Sequence, residues 1–139
     1  MGNPSEQGAA EQTSAAQTPR VLSFDDIVTT DDVEYRDVPV KNWPKVGETN
    51  IVRIGTCSAE DLIEWSEENE VDRKSAGLRL LAKSMVDANN VRFASVPGAV
   101  ERLVKTLSKR SSNAINKLVQ EALDLNQLTP ESQAKAKNA

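Results

Sequence analysis

The sequence predicts a small, mainly α-helical domain of the α+β class, with about four helices, a short N-terminal β-hairpin and a disordered N-terminal tail. Beyond Cys57, apolar residues recur at helical spacing in four successive segments. Before it, two short runs rich in valine and isoleucine flank a turn that contains proline and glycine. The first 20 residues are small and polar, and they carry too little apolar surface to offset the entropy of ordering.

These patterns divide the chain into three parts. We expect a disordered tail over residues 1–20, a single helical domain over residues 21–129 and a short, frayed segment over residues 130–139. At the front of the domain, Ser23 can cap one or two turns of helix. The hairpin follows at about residues 38–54.

The hairpin is predicted from residues 38–43 and residues 49–54, with Pro44 and Gly47 supplying the turn. Pro39 has no N–H to donate, so the first strand is expected at the edge of a sheet. Because a lone hairpin is barely stable in water, it must pack on the helices or pair with a neighbour.

Four helices are predicted in the remainder of the chain. The first begins after Ser58, and its acidic side chains are expected to cover its solvent side. The second runs over residues 73–89, where Leu80 points away from the apolar stripe and is expected to be exposed. The third begins at Pro97, and the fourth covers residues 111–129. The stripe of the second helix consists of Leu78, Leu81, Ala82, Met85 and Val86.

The fourth helix is apolar over about half of its circumference, whereas a helix that lies on one core needs a stripe only somewhat wider than about 100°. It therefore has more apolar surface than one neighbour covers, and the second neighbour can be another protein. Asn126 can adopt the left-handed conformation that ends this helix. The apolar residues are Ala114, Ile115, Leu118, Val119, Ala122, Leu123 and Leu125.

The net charge of −4 is unevenly distributed along the chain. Residues 1–72 carry a net charge of −11, and residues 73–139 a net charge of +7. The two halves are expected to attract each other or a neighbouring copy, which favours a homo-oligomer. Nucleic-acid binding by the basic half is the alternative, but its basic residues are dispersed and only Phe93 is aromatic among them.

Composition argues against an enzyme. The chain has no histidine, its single cysteine is Cys57, and its six glycines do not form a phosphate-binding loop. We expect no catalytic residue, no metal and no cofactor. No apolar run approaches the length of about 20 residues that spans a bilayer, so we expect no membrane partner, and a reducing cytosolic location fits the single cysteine.

Six residues are predicted to contact a protein partner: two lie on the edge hairpin, three lie in the fourth helical segment, and Leu80 is the exposed leucine opposite the apolar stripe of the second helix. Trp43 and Trp65 are expected to fill the core between the hairpin and the helices, and the alternative is that Trp43, on the edge hairpin, anchors a partner. The six are Val40, Trp43, Leu80, Leu118, Leu125 and Leu128.

LSFDDI is followed by an acidic connector, then VPVKNW, a turn into NIVRIG, and SAEDLIEW. This order of segments resembles the tail assembly chaperones of long-tailed, siphovirus-type bacteriophages. The likeness continues in KRSSNAINKLVQEALDLNQLTPE, where the family commonly has an Ala/Leu-rich helix followed by Leu-Asn-x-Leu-Thr. It extends from about Leu22 to the end of the chain. Two stretches depart from the pattern: NWPKVGET is longer and more basic than the usual hairpin tip, and VRFAS replaces acidic turn residues.

The resemblance implies a non-enzymatic protein of the host cell cytoplasm. Such chaperones coat the long, helix-rich tape measure protein and keep it soluble until tail tube subunits polymerise around it, and they are absent from the finished virion. The resemblance also implies the tail tube protein and a frameshifted, extended form of this chain as further partners. Codons GCA AAA AAC for residues 136–138 would contain the slippery heptamer that such a frameshift uses.

Two other functions remain open from the sequence. The first is a structural head–tail or tail adaptor of the phage particle, which would persist in the virion. The second is a small DNA-binding regulator, whose affinity would fall steeply with salt.

Overall fold

The computed structural model describes residues 18–131 and confirms an α+β fold in which helix predominates over strand. The predicted tail over residues 1–20 and the predicted segment over residues 130–139 fall mostly outside the described residues. In chain order the elements are α1 (Phe24–Val28), β1 (Tyr35–Lys41), β2 (Thr49–Gly55), α2 (Ala59–Val71), α3 (Arg73–Ser84), β3 (Met85–Val86), a 3₁₀ helix (Phe93–Ser95), α4 (Ala99–Leu107) and α5 (Ser112–Leu125).

The chain divides into two compact units, residues 1–32 and residues 33–139, where the sequence suggested one domain that begins at residue 21. The first unit contains α1, and the second contains the sheet and the remaining helices. Among residues 18–131, no helix combines the length and the apolar character that crossing a membrane requires.

The three strands form one antiparallel sheet in the order β1-β2-β3. β1 and β2 are the predicted hairpin, paired from Tyr35 opposite Gly55 to Lys41 opposite Thr49. The hairpin is therefore confirmed, although β1 begins at Tyr35 and not at residue 38. The edge position predicted from Pro39 is confirmed too, because within residues 18–131 β1 pairs only with β2.

The second helix is shorter than predicted. α3 ends at Ser84, and Met85–Val86 leave the helix to pair with Arg53 and Ile54 of β2 as strand β3. The prediction of helix over residues 85–89 is therefore wrong. The apolar stripe fitted a helical period, but the open edge of β2 offers hydrogen-bond partners that a sequence pattern does not reveal.

α3 lies at the centre of the core, because α2, α4 and α5 all pack on it. Its C-terminal half is buried around the whole circumference, and Leu80 is only 1% exposed. The predicted exposure of Leu80 is therefore wrong. The core cluster consists of Val38, Val40, Ile54, Leu78, Leu81, Ala82, Met85, Leu107, Ala114, Leu118 and Ala122.

A side-chain cap determines the start of one helix, and a left-handed glycine precedes the start of another. α2 starts after Ser58 as predicted, and the Ser58 hydroxyl accepts a hydrogen bond from the backbone N of Asp61 at 3.2 Å. α4 starts at Ala99 and not at Pro97, because Gly98 has a φ of 78° and so precedes the helix in the left-handed conformation.

α5 ends in a Schellman motif. The N–H of Leu128 donates to the carbonyl of Leu123 at 2.8 Å, and the N–H of Gln127 donates to the carbonyl of Asp124 at 3.0 Å. The left-handed residue is Gln127, with a φ of 58°. The prediction that Asn126 takes this conformation is wrong, since its φ is −90°.

Candidate functional site

α5 divides its apolar surface into two adjacent stripes. Each stripe repeats every four residues, and the two are offset by one residue, or about 100° around the helix. The buried stripe consists of Ala114, Leu118 and Ala122. The half-buried stripe consists of Ile115, Val119 and Leu123. The surplus apolar surface expected from the sequence is therefore present on this helix, and part of it stays open to solvent.

The half-buried stripe lines a groove of about 760 Å³, which we call the α5 groove. Leu78 of α3 and Leu107 of α4 also line it and are almost fully buried, so they form its floor. Trp65 of α2 and Leu128, just after α5, line it as half-buried side chains. Because most of these side chains are apolar and partly solvated, covering them with an apolar partner is favourable.

Polar and basic side chains also line the groove. Arg73 and Lys74 belong to the first turn of α3, and Arg110 lies just before α5. All three are exposed, as are Asn116 and Gln120 of α5. Because the charged members are all positive, the groove favours a partner that carries acidic side chains beside apolar ones.

The absence of a side chain at Gly77 lets α3 and α5 approach closely. A Cβ at this position would lie 3.2 Å from Cγ1 of Val119, tighter than almost all contacts of real Cβ atoms. Gly77 and Val119 both line the groove. The close approach therefore holds the half-buried stripe of α5 against the wall that α3 forms.

Two ion pairs join α2 to α3 and hold the side of the groove that carries Trp65. Lys83 is paired with Glu64, and Nε of Arg79 lies 2.8 Å from Oε2 of Glu68. The Lys83 ammonium holds the pKa of Glu64 below its ordinary value. Two of the carboxylates that the sequence assigned to the solvent side of this helix are thus bound to a neighbouring helix.

Asn126 fastens the end of α5 to the loop between β2 and α2. Its Oδ1 accepts a hydrogen bond from the backbone N of Cys57 at 2.8 Å, and its Nδ2 donates to the carbonyl of Ala122 at 2.8 Å. Asn126 and Thr129 are buried, and Leu128 between them lines the groove. The Leu-Asn-x-Leu-Thr stretch therefore forms one end of the groove by defined contacts.

Of the six residues predicted to contact a partner, only Leu128 lines the α5 groove. Three others are core residues with at most 2% exposure, which offer no surface to a partner in this conformation: Val40, Leu80 and Leu118. Two are half-buried and pack against the core: Trp43 and Leu125. The periodicity identified the apolar half of α5 but did not distinguish its inner stripe from its outer one, and Trp65 was considered only as a core residue.

Within residues 18–131 no group of three or more His, Cys, Asp or Glu side chains is placed to hold a metal ion. Burial raises the pKa of the Cys57 thiol to about 11, although Arg92 nearby favours the thiolate. A thiol with this pKa is almost fully protonated at neutral pH and is a poor nucleophile.

Comparison of the chain with protein-family models, with curated proteins and with solved structures gives no match.

Proposed function

We propose that this protein is a tail assembly chaperone of a long-tailed bacteriophage, which binds apolar helical segments of the tape measure protein in the α5 groove and acts in the host cell cytoplasm. The observation that carries the proposal is the half-buried stripe of α5, made of Ile115, Val119 and Leu123, together with the groove that it lines. A tape measure protein is a long helical polymer without a core of its own, so its exposed apolar surface aggregates unless another protein covers it.

The dimensions of the groove suit a helix. From Ile115 to Leu123 the stripe extends about 12 Å along α5 at about 1.5 Å per residue. A partner helix presents side chains at i, i+4 and i+7 over a similar distance, as in other cases where a helix lies in an apolar groove. The expected recognition element is therefore two to three turns of amphipathic helix.

Binding at one such site is expected to be weak. Burying three apolar anchors contributes about 1.5–3 kcal/mol each, against a cost of association of about 4–15 kcal/mol. Many copies along one extended client would together hold it firmly. Weak individual sites also allow tube subunits to displace the copies one at a time.

The contacts of three basic residues weaken the DNA-binding alternative, although Arg73, Lys74 and Arg110 remain exposed. Arg79 is paired with Glu68, Lys83 with Glu64, and Nη1 of Arg92 donates to the carbonyl of Lys83 at 2.9 Å. These side chains are directed into the fold, where they cannot reach a phosphate backbone without breaking internal contacts.

Co-expression with the tape measure protein of the same phage tests the proposal. The wild-type chain is expected to raise the soluble fraction of the tape measure protein, and Ile115→Glu is expected to remove that effect because it places a charge in the groove. Val46→Glu is the matched control, since Val46 is 89% exposed in the hairpin turn and does not line the groove. Equal solubility with and without the wild-type chain would reject the chaperone function.

Mass spectrometry of purified virions separates the chaperone from the structural alternative. A chaperone is expected to be missing from the particle, whereas a head–tail or tail adaptor would be present in a fixed number of copies. The same experiment applied to infected cells tests whether a frameshifted, extended form of the chain is made.

A further inference from the structure

The first unit of the chain carries a second uncovered apolar surface, on α1 and the residues just before it. α1 has no buried residue. The apolar residues of α1 and of the stretch just before it have exposed fractions between 52% and 96%. A helix that lies on a core would have a much less exposed apolar face. These side chains are Val21, Leu22, Phe24, Ile27 and Val28.

α1 is nevertheless a well-capped helix. Ser23 and Asp26 form a reciprocal capping box, with the backbone N of Asp26 donating to the Ser23 hydroxyl at 3.1 Å and the backbone N of Ser23 donating to Asp26 at 2.9 Å. Arg20 donates to the same carboxylate at 2.8 Å. Leu22 and Ile27 occupy the positions of a hydrophobic staple. A helix of five residues is far below the length of about 12–15 that persists alone in water, so these devices suit a helix that packs on another surface.

The charge of this segment is complementary to that of the α5 groove. Arg73, Lys74 and Arg110 line the groove and are exposed. The α1 segment and the linker after it carry closely spaced carboxylates and no basic residue between Phe24 and Tyr35. These carboxylates are Asp25, Asp31 and Asp32 of the first unit, together with Glu34 at the start of the second, whereas Asp26 is already paired with Arg20.

We infer that α1 of one copy of this protein docks in the α5 groove of a second copy. Phe24 and Ile27 then lie against the half-buried stripe of α5, and the acidic residues of the segment face the basic residues of the groove. The two surfaces are different parts of one chain, so the contact is heterologous: each copy that donates α1 leaves its own groove open for the next. Copies therefore add head to tail, into a row or a closed ring.

A second copy is the occupant that the observations favour, since both surfaces are apolar, both are uncovered and their charges are opposite. Because α1 and a tape measure helix would bind the same groove, the two are expected to compete for it. The inference concerns the groove proposed for the tape measure protein, but it does not rest on that function. It is tested with the purified chain alone, and its failure would leave the co-expression result unaffected.

The first test is the mass of the full-length chain across a range of concentrations, measured by sedimentation velocity. The wild-type mass is expected to rise with concentration. Phe24→Ser combined with Ile27→Ser is expected to weaken association by roughly a hundredfold, because two exposed apolar side chains lose their burial. Val46→Ser, which removes an equally exposed side chain from the hairpin turn, is expected to match the wild type. A wild-type chain that is monomeric at every concentration overturns the inference, as does association unchanged by the α1 variant.

The second test mixes two defective variants. The α1 variant keeps its groove, and Ile115→Glu keeps its α1, so each alone is expected to be monomeric. Mixed in equal amounts, they are expected to form a 1:1 dimer and nothing larger, because one intact contact remains. If circular dichroism shows that Ile115→Glu is unfolded, the exposed pair Lys74→Glu and Arg110→Glu replaces it. A mixture that stays monomeric while the wild type associates overturns the inference.

Discussion

Replacing Asn126 by alanine tests whether the Leu-Asn-x-Leu-Thr stretch is held by the contacts that the structure gives it. Asn126 is 9% exposed, and its amide makes two side-chain hydrogen bonds of 2.8 Å, one with the backbone N of Cys57 and one with the carbonyl of Ala122. Alanine removes both and leaves the Cys57 N–H without this acceptor at a partly buried position.

The expected loss of stability follows from these two bonds. Each contributes about 1 kcal/mol net, and a donor left without its acceptor adds to the loss, so the free energy of unfolding should fall by about 2–3 kcal/mol. For a unit of this size, each kcal/mol corresponds to roughly 4–8 °C in Tm. The midpoint of thermal unfolding should therefore fall by roughly 10 °C or more.

The assay is thermal and urea unfolding of the full chain, followed by circular dichroism. Asn116→Ala is the matched control, because Asn116 is exposed on α5 and alanine is the better helix former by about 0.5 kcal/mol. The control should be unchanged or slightly more stable. If the two variants unfold at the same temperature, the hydrogen bonds of Asn126 do not hold α5 to the β2–α2 loop, and the Leu-Asn-x-Leu-Thr stretch is not stabilised by them.

Three further predictions concern packing and ionisation. Leu118→Ala should lower the free energy of unfolding by about 2–5 kcal/mol in urea titrations, because Leu118 is fully buried, whereas Leu125→Ala should cost less because Leu125 is half-buried. Hydrogen bonding to Arg20 holds the pKa of Asp26 at about 2. The capping of α1 should therefore be complete above the ordinary Asp pKa and be lost as the pH falls through about 2. Carbon NMR of Asp26 should show a titration midpoint at this pH, and Arg20→Gln should raise the midpoint. Burial raises the pKa of Cys57 to about 11. Iodoacetamide should therefore alkylate Cys57 slowly in the folded chain at about pH 8 and much faster in the urea-unfolded chain. Equal alkylation rates would contradict a buried thiol.

The sequence was sufficient for local features of the fold. The hairpin followed from two β-branched runs and a Pro/Gly turn, and the edge position of β1 followed from Pro39, because each depends on residues close together in the chain. The start of α2 followed from Ser58 for the same reason. The α+β class could also be predicted from the sequence, because it depends on which segments have helical or strand periodicity and not on how these elements pack.

The placement of Leu80 was not accessible from helical periodicity, because it depends on three helices that pack around α3. A wheel places Leu80 beside Arg79 and Lys83 and so assigns it to solvent. Arg79 is paired with Glu68, and Lys83 is paired with Glu64. The two glutamates are four residues apart, like the two cations, and the pairing runs in opposite directions along the two helices. Matched spacing of opposite charges in adjacent antiparallel helices was the one signal in the sequence that could have indicated a buried interface at this side of α3.

The division of α5 into an inner and an outer stripe has the same kind of origin. The sequence shows an apolar half-circumference, and either row of side chains could face the core. The choice is made by α3, where Gly77 has no side chain and Val119 can pack closely against the helix backbone. Leu118, one residue before, then turns fully into the core, and the row that contains Val119 is left half-buried along the groove. A larger residue at position 77 would push α5 outward, so the glycine that completes the packing of α3 also determines which apolar side chains remain available to a partner.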